Sequence, residues 1–166
     1  MIFKKICIIG CGLIGSSLAR AIKKNKLAEK IVSSNRSEDI NKKVIKLNIV
    51  DNSSSDTKKI VKDSDLIIIA TPLSSYKDVI LKIKTSLKNG AILTDVGSVK
   101  ENIMSLVENH VPESVSWVPS HPIAGTEESG PEAGFSELFK NRWCILTPSK
   151  KAKKKDINLL KTFWQK

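Results

Sequence analysis

Ile6-Cys7-Ile8-Ile9-Gly10-Cys11-Gly12-Leu13-Ile14-Gly15 decides how this sequence reads. Four apolar residues stop at a glycine, as a strand buried on both faces of a parallel sheet does. A helical pattern follows at once. Leu13, Ile14, Ser17, Leu18, Ala21 and Ile22 recur at helical spacing up to Lys26, where the lysines complement a helix C-terminus. The glycines between these elements match G-x-G-x-x-G in the setting that gives the motif meaning, after a buried strand and opening a helix. The first glycine permits the tight turn, the second lets the backbone approach a pyrophosphate, and the third allows close packing of helix on strand. Free N–H groups and the helix dipole then favour an anion. Gly10, Gly12, Leu13, Ile14 and Gly15 are therefore expected to hold a dinucleotide. The alternative is a glycine turn that binds nothing, and the flanking strand and helix speak against it.

Outward from this stretch, buried strands alternate with helical patterns. Ile31-Val32 reads as a second strand, and Ser37 to Leu47 as a helix with Ser37 as N-cap and Glu38 and Asp39 in its first turn. Asn52-Ser53-Ser54-Ser55 reads as a polar loop, and Asp56 as the cap of a short helix to Lys62. Asp65 to Ala70 is the clearest buried strand, ended by Pro72. Tyr76 to Leu87 and Val99 to Asn109 are helical, and Ala91 to Asp95, Val115 to Val118 and Trp143 to Leu146 are strands. A loop runs from Pro119 to Gly134, and Asp156 to Gln165 begins a last helix. This alternation predicts an α/β fold of the Rossmann type, a doubly wound, mostly parallel sheet with helices on both faces.

Bulk properties narrow the function classes. With 166 residues, 40% of them hydrophobic, the chain suits one sizeable core. Its apolar runs fall far below the roughly 20 residues that cross a bilayer, and Lys4 and Lys5 interrupt any signal-like segment, so a soluble cytoplasmic protein without a membrane partner is expected. Cys7, Cys11 and Cys144 have no CxxC spacing, which argues against a disulfide framework and against a metal site. The net charge of +11 favours anionic ligands. Nucleic acid is not expected, because the lysines are scattered, apart from a run between Lys150 and Lys155, and no series of stacking aromatics accompanies them.

Several residues follow strands, at the edge where such sheets bind ligands. An acid about 20 residues after the glycine loop would take the adenosine ribose of NAD, but Asn35 stands there and Arg36 follows. A neutral side chain beside an arginine accommodates a 2′-phosphate, so NADP is slightly preferred over NAD. The alternative leaves Asn35 and Arg36 as a solvated loop end, with Glu38 or Asp39 at the ribose. Thr71 and Pro72 can line the cofactor cleft or simply form a turn. In Thr94-Asp95-Val96-Gly97-Ser98-Val99-Lys100, Ser98 can present a hydroxyl and Lys100 a cation to an anionic substrate; equally, Ser98 can cap the next helix and Lys100 can be surface. Ser120-His121-Pro122-Ile123-Ala124-Gly125-Thr126-Glu127 sets a histidine after a strand, in a loop on the same edge. His110, at a helix end, reads as structural or solvated.

Together these pieces resemble the prephenate and arogenate (cyclohexadienyl) dehydrogenases. The resemblance rests on Gly10 to Ser17, on Asp95-Val96-Gly97-Ser98-Val99-Lys100, and above all on His121-Pro122-Ile123-Ala124-Gly125-Thr126-Glu127, continuing through Ser129-Gly130-Pro131 to Asn141-Arg142-Trp143-Cys144-Ile145-Leu146-Thr147-Pro148. It implies NAD(P)-dependent oxidative decarboxylation of prephenate or arogenate in tyrosine biosynthesis. It implies His121 as the catalytic histidine, Ser98 as a residue that contacts substrate and helps orient that histidine, and Glu127 as an acid near the entrance. Lys100, Gly125 and Thr126 join them on the substrate side, and Asp95 and Gly97 on the cofactor side. Asn35 departs from the family's common aspartate. Members of the family continue into a helical domain that forms a homodimer and completes the substrate site. Residues 1–150 are accordingly expected to be the dinucleotide-binding domain, and 151–166 the start of a helix leading to the helical one, the chain being a fragment that binds dinucleotide but turns over substrate poorly. The rival readings are a dehydrogenase of the β-hydroxyacid type or an imine reductase, which have no use for the 121–127 stretch, and a non-catalytic dinucleotide sensor, which fold alone does not exclude.

Overall fold

The computed structural model describes the backbone of residues 1–166 and every side chain except those of 102–104 and 106. In β1 (Phe3–Ile9) the side chains alternate across the sheet. Ile6 and Ile8 enter one core, with Leu18 and Ile22 of α1 (Leu13–Lys24) and Val44 of α2 (Glu38–Lys46). Cys7 and Ile9 enter another, with Ile60 and Val61 of α3 (Thr57–Val61) and Tyr76, Ile80 and Ile83 of α4 (Tyr76–Ile83). β4 (Leu66–Ile69) divides in the same way, Leu66 and Ile68 to the first core and Ile67 and Ile69 to the second. A continuous apolar run is thus what a strand covered on both faces requires. Each such side chain contributes about 1.5–3 kcal/mol by leaving water.

Six parallel strands lie in the order β3-β2-β1-β4-β5-β6, with β2 at Ala28–Ser34, β3 at Asn52–Ser53, β5 at Ile92–Asp95 and β6 at Ser116–Trp117. The chain winds outward from β1 through β2 to β3, then returns to β4 on the other side. The strand order therefore reverses between β1 and β4, which opens a crevice at their carboxyl ends. This is the Rossmann arrangement expected from the sequence.

Two strands lie where loops were expected. β3 is polar because it is an edge strand of two residues, held partly by side chains: Ser53 Oγ lies 2.7 Å from Ser33 Oγ and donates to Asn41 Oδ1 at 2.6 Å. β7 (Ser120–Pro122) forms a separate antiparallel ribbon with β8 (Cys144–Leu146), pairing His121 with Ile145. Proline hid it, since Pro122 cannot donate to a ladder. Helix α5 (Glu101–Glu108) begins later than expected, with Lys100 rather than Ser98 at its N-cap. Ser37 is the N-cap of α2, without a side-chain cap bond. Asp56 caps α3 as expected, accepting from Lys59 N at 3.1 Å. The last helix, α6 (Lys154–Trp164), packs Leu160 and Phe163 into the same core as β1, with the rings of Phe3 and Phe163 edge to face at 6.0 Å. Among the described residues no helix is long and apolar enough to cross a membrane, and no His, Cys, Asp and Glu cluster suits a metal.

Candidate active site

Because β1, β2, β4, β5 and β6 are parallel, whatever follows each of them reaches one edge. That edge collects Gly10 to Gly15, Asn35, Thr71, Asp95 to Ser98 and the segment leading to His121.

The glycine loop is built for close approach. Gly10 has φ +95°, and a Cβ there would meet Ala70 O and Thr71 Cγ2 at 2.8 Å. A Cβ on Gly15 would lie 2.0 Å from Gly10 O, so helix and turn touch backbone to backbone. Gly12, the N-cap of α1, is exposed and has nothing within 4 Å of a Cβ position. Neither a side-chain cap nor a first-turn acid occupies this helix start. Orphan N–H groups beside open space fit a diphosphate.

Asn35 does not project into solvent. Its Oδ1 accepts from Cys11 N at 2.6 Å, and its Nδ2 donates to Asn41 Oδ1 at 3.0 Å and Ser53 Oγ at 3.2 Å. Arg36 beside it is exposed. Thr71 is half-buried and accepts from Ser75 Oγ at 2.8 Å, while Pro72 starts the short turn that leads into α4.

Asp95, the last residue of β5, is fully buried. It accepts from Tyr76 OH at 3.1 Å, Gly97 N at 2.9 Å, Ser120 N at 3.1 Å and Lys100 Nζ at 2.6 and 2.8 Å. Burial pulls the Lys100 ammonium below its usual value, with Asp95 opposing. Lys100 Nζ also donates to Ser120 O at 2.6 Å. The cation expected to face a substrate is thus directed into the fold. Burial raises the Tyr76 hydroxyl, helped by Asp95, so it stays protonated as a donor.

Ser98 is exposed on the edge and His121 half-buried. Gly125, Thr126 and Glu127 are exposed in the loop beyond, where Thr126 Oγ1 accepts from Glu128 N at 3.2 Å. That loop returns to α1. Phe135 N donates to Ser17 Oγ at 3.1 Å, and a Cβ on Gly134 would strike Ser16 Oγ at 2.1 Å. Burial pushes the Cys144 thiol up to about 12, although the His121 backbone and Lys100 pull it down.

The sequence singled out the loop, Asn35, Asp95 and His121 as candidates, and not the residues that the fold sets around them, Asn41, Tyr76, Ser120 and Ser17. Asn41 alone carried a signal, as an asparagine on the inner face of an amphipathic helix.

A parallel sheet with a glycine cradle at its switch point, and a histidine on the same edge, defines a dinucleotide-binding α/β domain. Residues 18–166 match the family described as prephenate dehydrogenase, nucleotide-binding domain, and the chain belongs to that family. It is 37% identical over 164 residues to the cyclohexadienyl dehydrogenase of Zymomonas mobilis, covering 99% of this chain and 56% of the relative. A crystal structure of prephenate dehydrogenase from A. aeolicus, in complex with hydroxyphenyl propionate and NAD+, superposes with TM-score 0.90 at 29% identity, covering 98% of this chain and 56% of that one. Synechocystis arogenate dehydrogenase gives TM-score 0.88 at 26% identity, covering 95% and 55%. The chain therefore spans about half the length of these relatives.

Proposed function

We propose that this chain is the nucleotide-binding half of a dehydrogenase that oxidises and decarboxylates prephenate or arogenate. The observation that carries the reading is that Ser120, next to His121, is bonded to Asp95 on the sheet edge that also holds the glycine cradle, in a chain of this family. A nicotinamide dinucleotide, held on Gly10, Gly12, Leu13, Ile14 and Gly15, supplies the two-electron acceptor. His121 accepts the proton of the ring hydroxyl as that carbon becomes a carbonyl, which stabilises the charge developing on oxygen. The ring carboxylate leaves as carbon dioxide, the electron pair of its C–C bond enters the ring, which becomes aromatic, and the former carbonyl oxygen takes back a proton to become the phenol hydroxyl. Ser98, Gly125, Thr126 and Glu127 border the substrate side. This chain spans about half the length of its relatives, and we assign completion of this site and dimerisation to a second region of the full-length protein.

Cofactor choice follows from Asn35 and Arg36. The buried amide puts no negative charge at the ribose, and the exposed guanidinium beside it suits a 2′-phosphate, so NADP is favoured over NAD. The test is formation of reduced cofactor from prephenate and from arogenate with each dinucleotide, in the 166-residue chain and in the longest reading frame that contains it. His121→Asn should lose most turnover while keeping dinucleotide affinity. Tight dinucleotide binding with no turnover of either acid would instead mark a sensor.

A further inference from the structure

Ser120 is gripped at both backbone polar groups by side chains from one neighbouring segment. Its N–H donates to Asp95 Oδ1 at 3.1 Å and its carbonyl accepts from Lys100 Nζ at 2.6 Å. Its hydroxyl meets Thr94 Oγ1 as well. The carbonyl that Lys100 holds belongs to the Ser120–His121 peptide, which is planar. Fixing that carbonyl fixes the plane, and with it the direction in which His121 leaves the strand.

The grip is needed because β7 is no part of the main sheet. It pairs only with β8, in a ribbon of three residues on each side. An isolated two-stranded ribbon is marginal in water. Asp95, at the end of β5, is bonded to Lys100, Tyr76, Gly97 and Ser120, so both bonds to the Ser120 backbone come from one buried ion pair, beside the hydroxyl contact with Thr94. A buried carboxylate and ammonium offset their desolvation only when further hydrogen bonds satisfy both, as they do here. The Lys100 side chain is 14% exposed, so little of it faces a ligand.

We propose that Asp95 and Lys100 are positioning residues, a buried ion pair that sets His121 against the dinucleotide cleft, and that Lys100 is not a substrate-binding cation. The proposal rests on the reading of His121 as the residue that acts on substrate. It also means that the pair contributes no net charge, so the carboxylates of the substrate take their countercharge from other groups.

Three variants test it: Asp95→Asn, Lys100→Met and the conservative Lys100→Arg. Steady-state kinetics with prephenate, in a chain that turns it over, should show kcat falling roughly tenfold to a hundredfold in the first two, the scale on which small misplacements act. KM and the dinucleotide Kd should stay within about twofold, and Lys100→Arg should recover most of kcat. In the isotope-labelled 166-residue chain, the His121 amide and ring resonances should move in Asp95→Asn and Lys100→Met. A Lys100→Met variant with unchanged kcat and raised KM, beside an Asp95→Asn variant with neither altered, would overturn the proposal and return Lys100 to the substrate. Should the unmodified protein turn over neither acid, the function fails but the clamp is still judged. Displaced His121 resonances sustain it, and unmoved ones overturn it. If Lys100→Met does not fold, the isosteric Asp95→Asn carries the same comparison.

Discussion

Asn35 Oδ1 accepts the backbone N–H of Cys11 at 2.6 Å, so the end of β2 holds the phosphate loop that follows β1. The same side chain donates to Asn41 and Ser53, and it is an amide in function as well as in name: one end must accept and the other must donate. An aspartate here would keep the bond to Cys11 and lose both donors, placing its second oxygen against Asn41 Oδ1. Asn35→Asp is therefore expected to shift the Kd ratio toward NAD by about tenfold, the effect of roughly one charged hydrogen bond, while lowering thermal stability. Titration of both dinucleotides, with a melting curve, checks both parts. An unchanged ratio would remove Asn35 from cofactor choice.

Gly15 faces a harder limit. A methyl there would lie 2.0 Å from Gly10 O, a backbone atom in a turn that itself needs φ +95°. No rotamer change relieves that contact, so Gly15→Ala must push α1 off the turn. Dinucleotide affinity should fall at least a hundredfold, and overpacking should cost about 1–3 kcal/mol of stability. Gly12→Ala meets nothing within 4 Å and should leave the melting temperature nearly unchanged while weakening dinucleotide binding, because its methyl enters the ligand's space. Calorimetric titration and thermal denaturation of the two variants separate these effects.

The contrast shows what was legible in the sequence. Strands β1 and β4 could be read because both of their faces are apolar, and the loop because local chain geometry demands its glycines. His121 was legible only through its neighbours in sequence. Hidden were contacts between distant residues: Tyr76 on α4 to Asp95 at the end of β5, and Asp95 to Ser120 across 25 positions. Such partners leave no periodicity. Lys100 illustrates the cost, since a lysine at a helix start reads as surface or as ligand, and only the fold shows a buried carboxylate beside it.

The three cysteines should be inert although one of them is accessible. Burial pushes Cys7 and Cys144 up to about 12 and Cys11 up to about 11. At pH 8 the most acidic of them is then thiolate in roughly one molecule in a thousand, and the thiolate is the reactive form. Iodoacetamide is expected to label the native chain very slowly at all three positions, half-exposed Cys144 included, and to label all three within minutes in denaturant. Peptide mass mapping of a time course measures this. Rapid native labelling of Cys144 would mean that the ribbon of β7 and β8 opens readily.

Asp65 gives the fold a dependence on acid. Burial raises its carboxyl, but hydrogen bonds from Lys88 Nζ and from the backbone N–H groups of Lys5 and Lys4 outweigh that and hold it below the ordinary value. These bonds join the start of β4 to β1, with Lys88 Nζ at 2.6 Å and Lys4 N at 2.9 Å. A carboxyl more acidic in the native state than in the unfolded chain stabilises the fold at every pH above its unfolded value, about 3.9. That contribution disappears as pH falls through the lower native value, where both states are protonated. Asp65→Asn should therefore melt below the parent at pH 7, and the gap should shrink steadily once pH drops under about 4. Melting curves of the pair at several pH values decide it: a gap that stays constant into acid would show that shape at position 65, and not its charge, ties the two strands together.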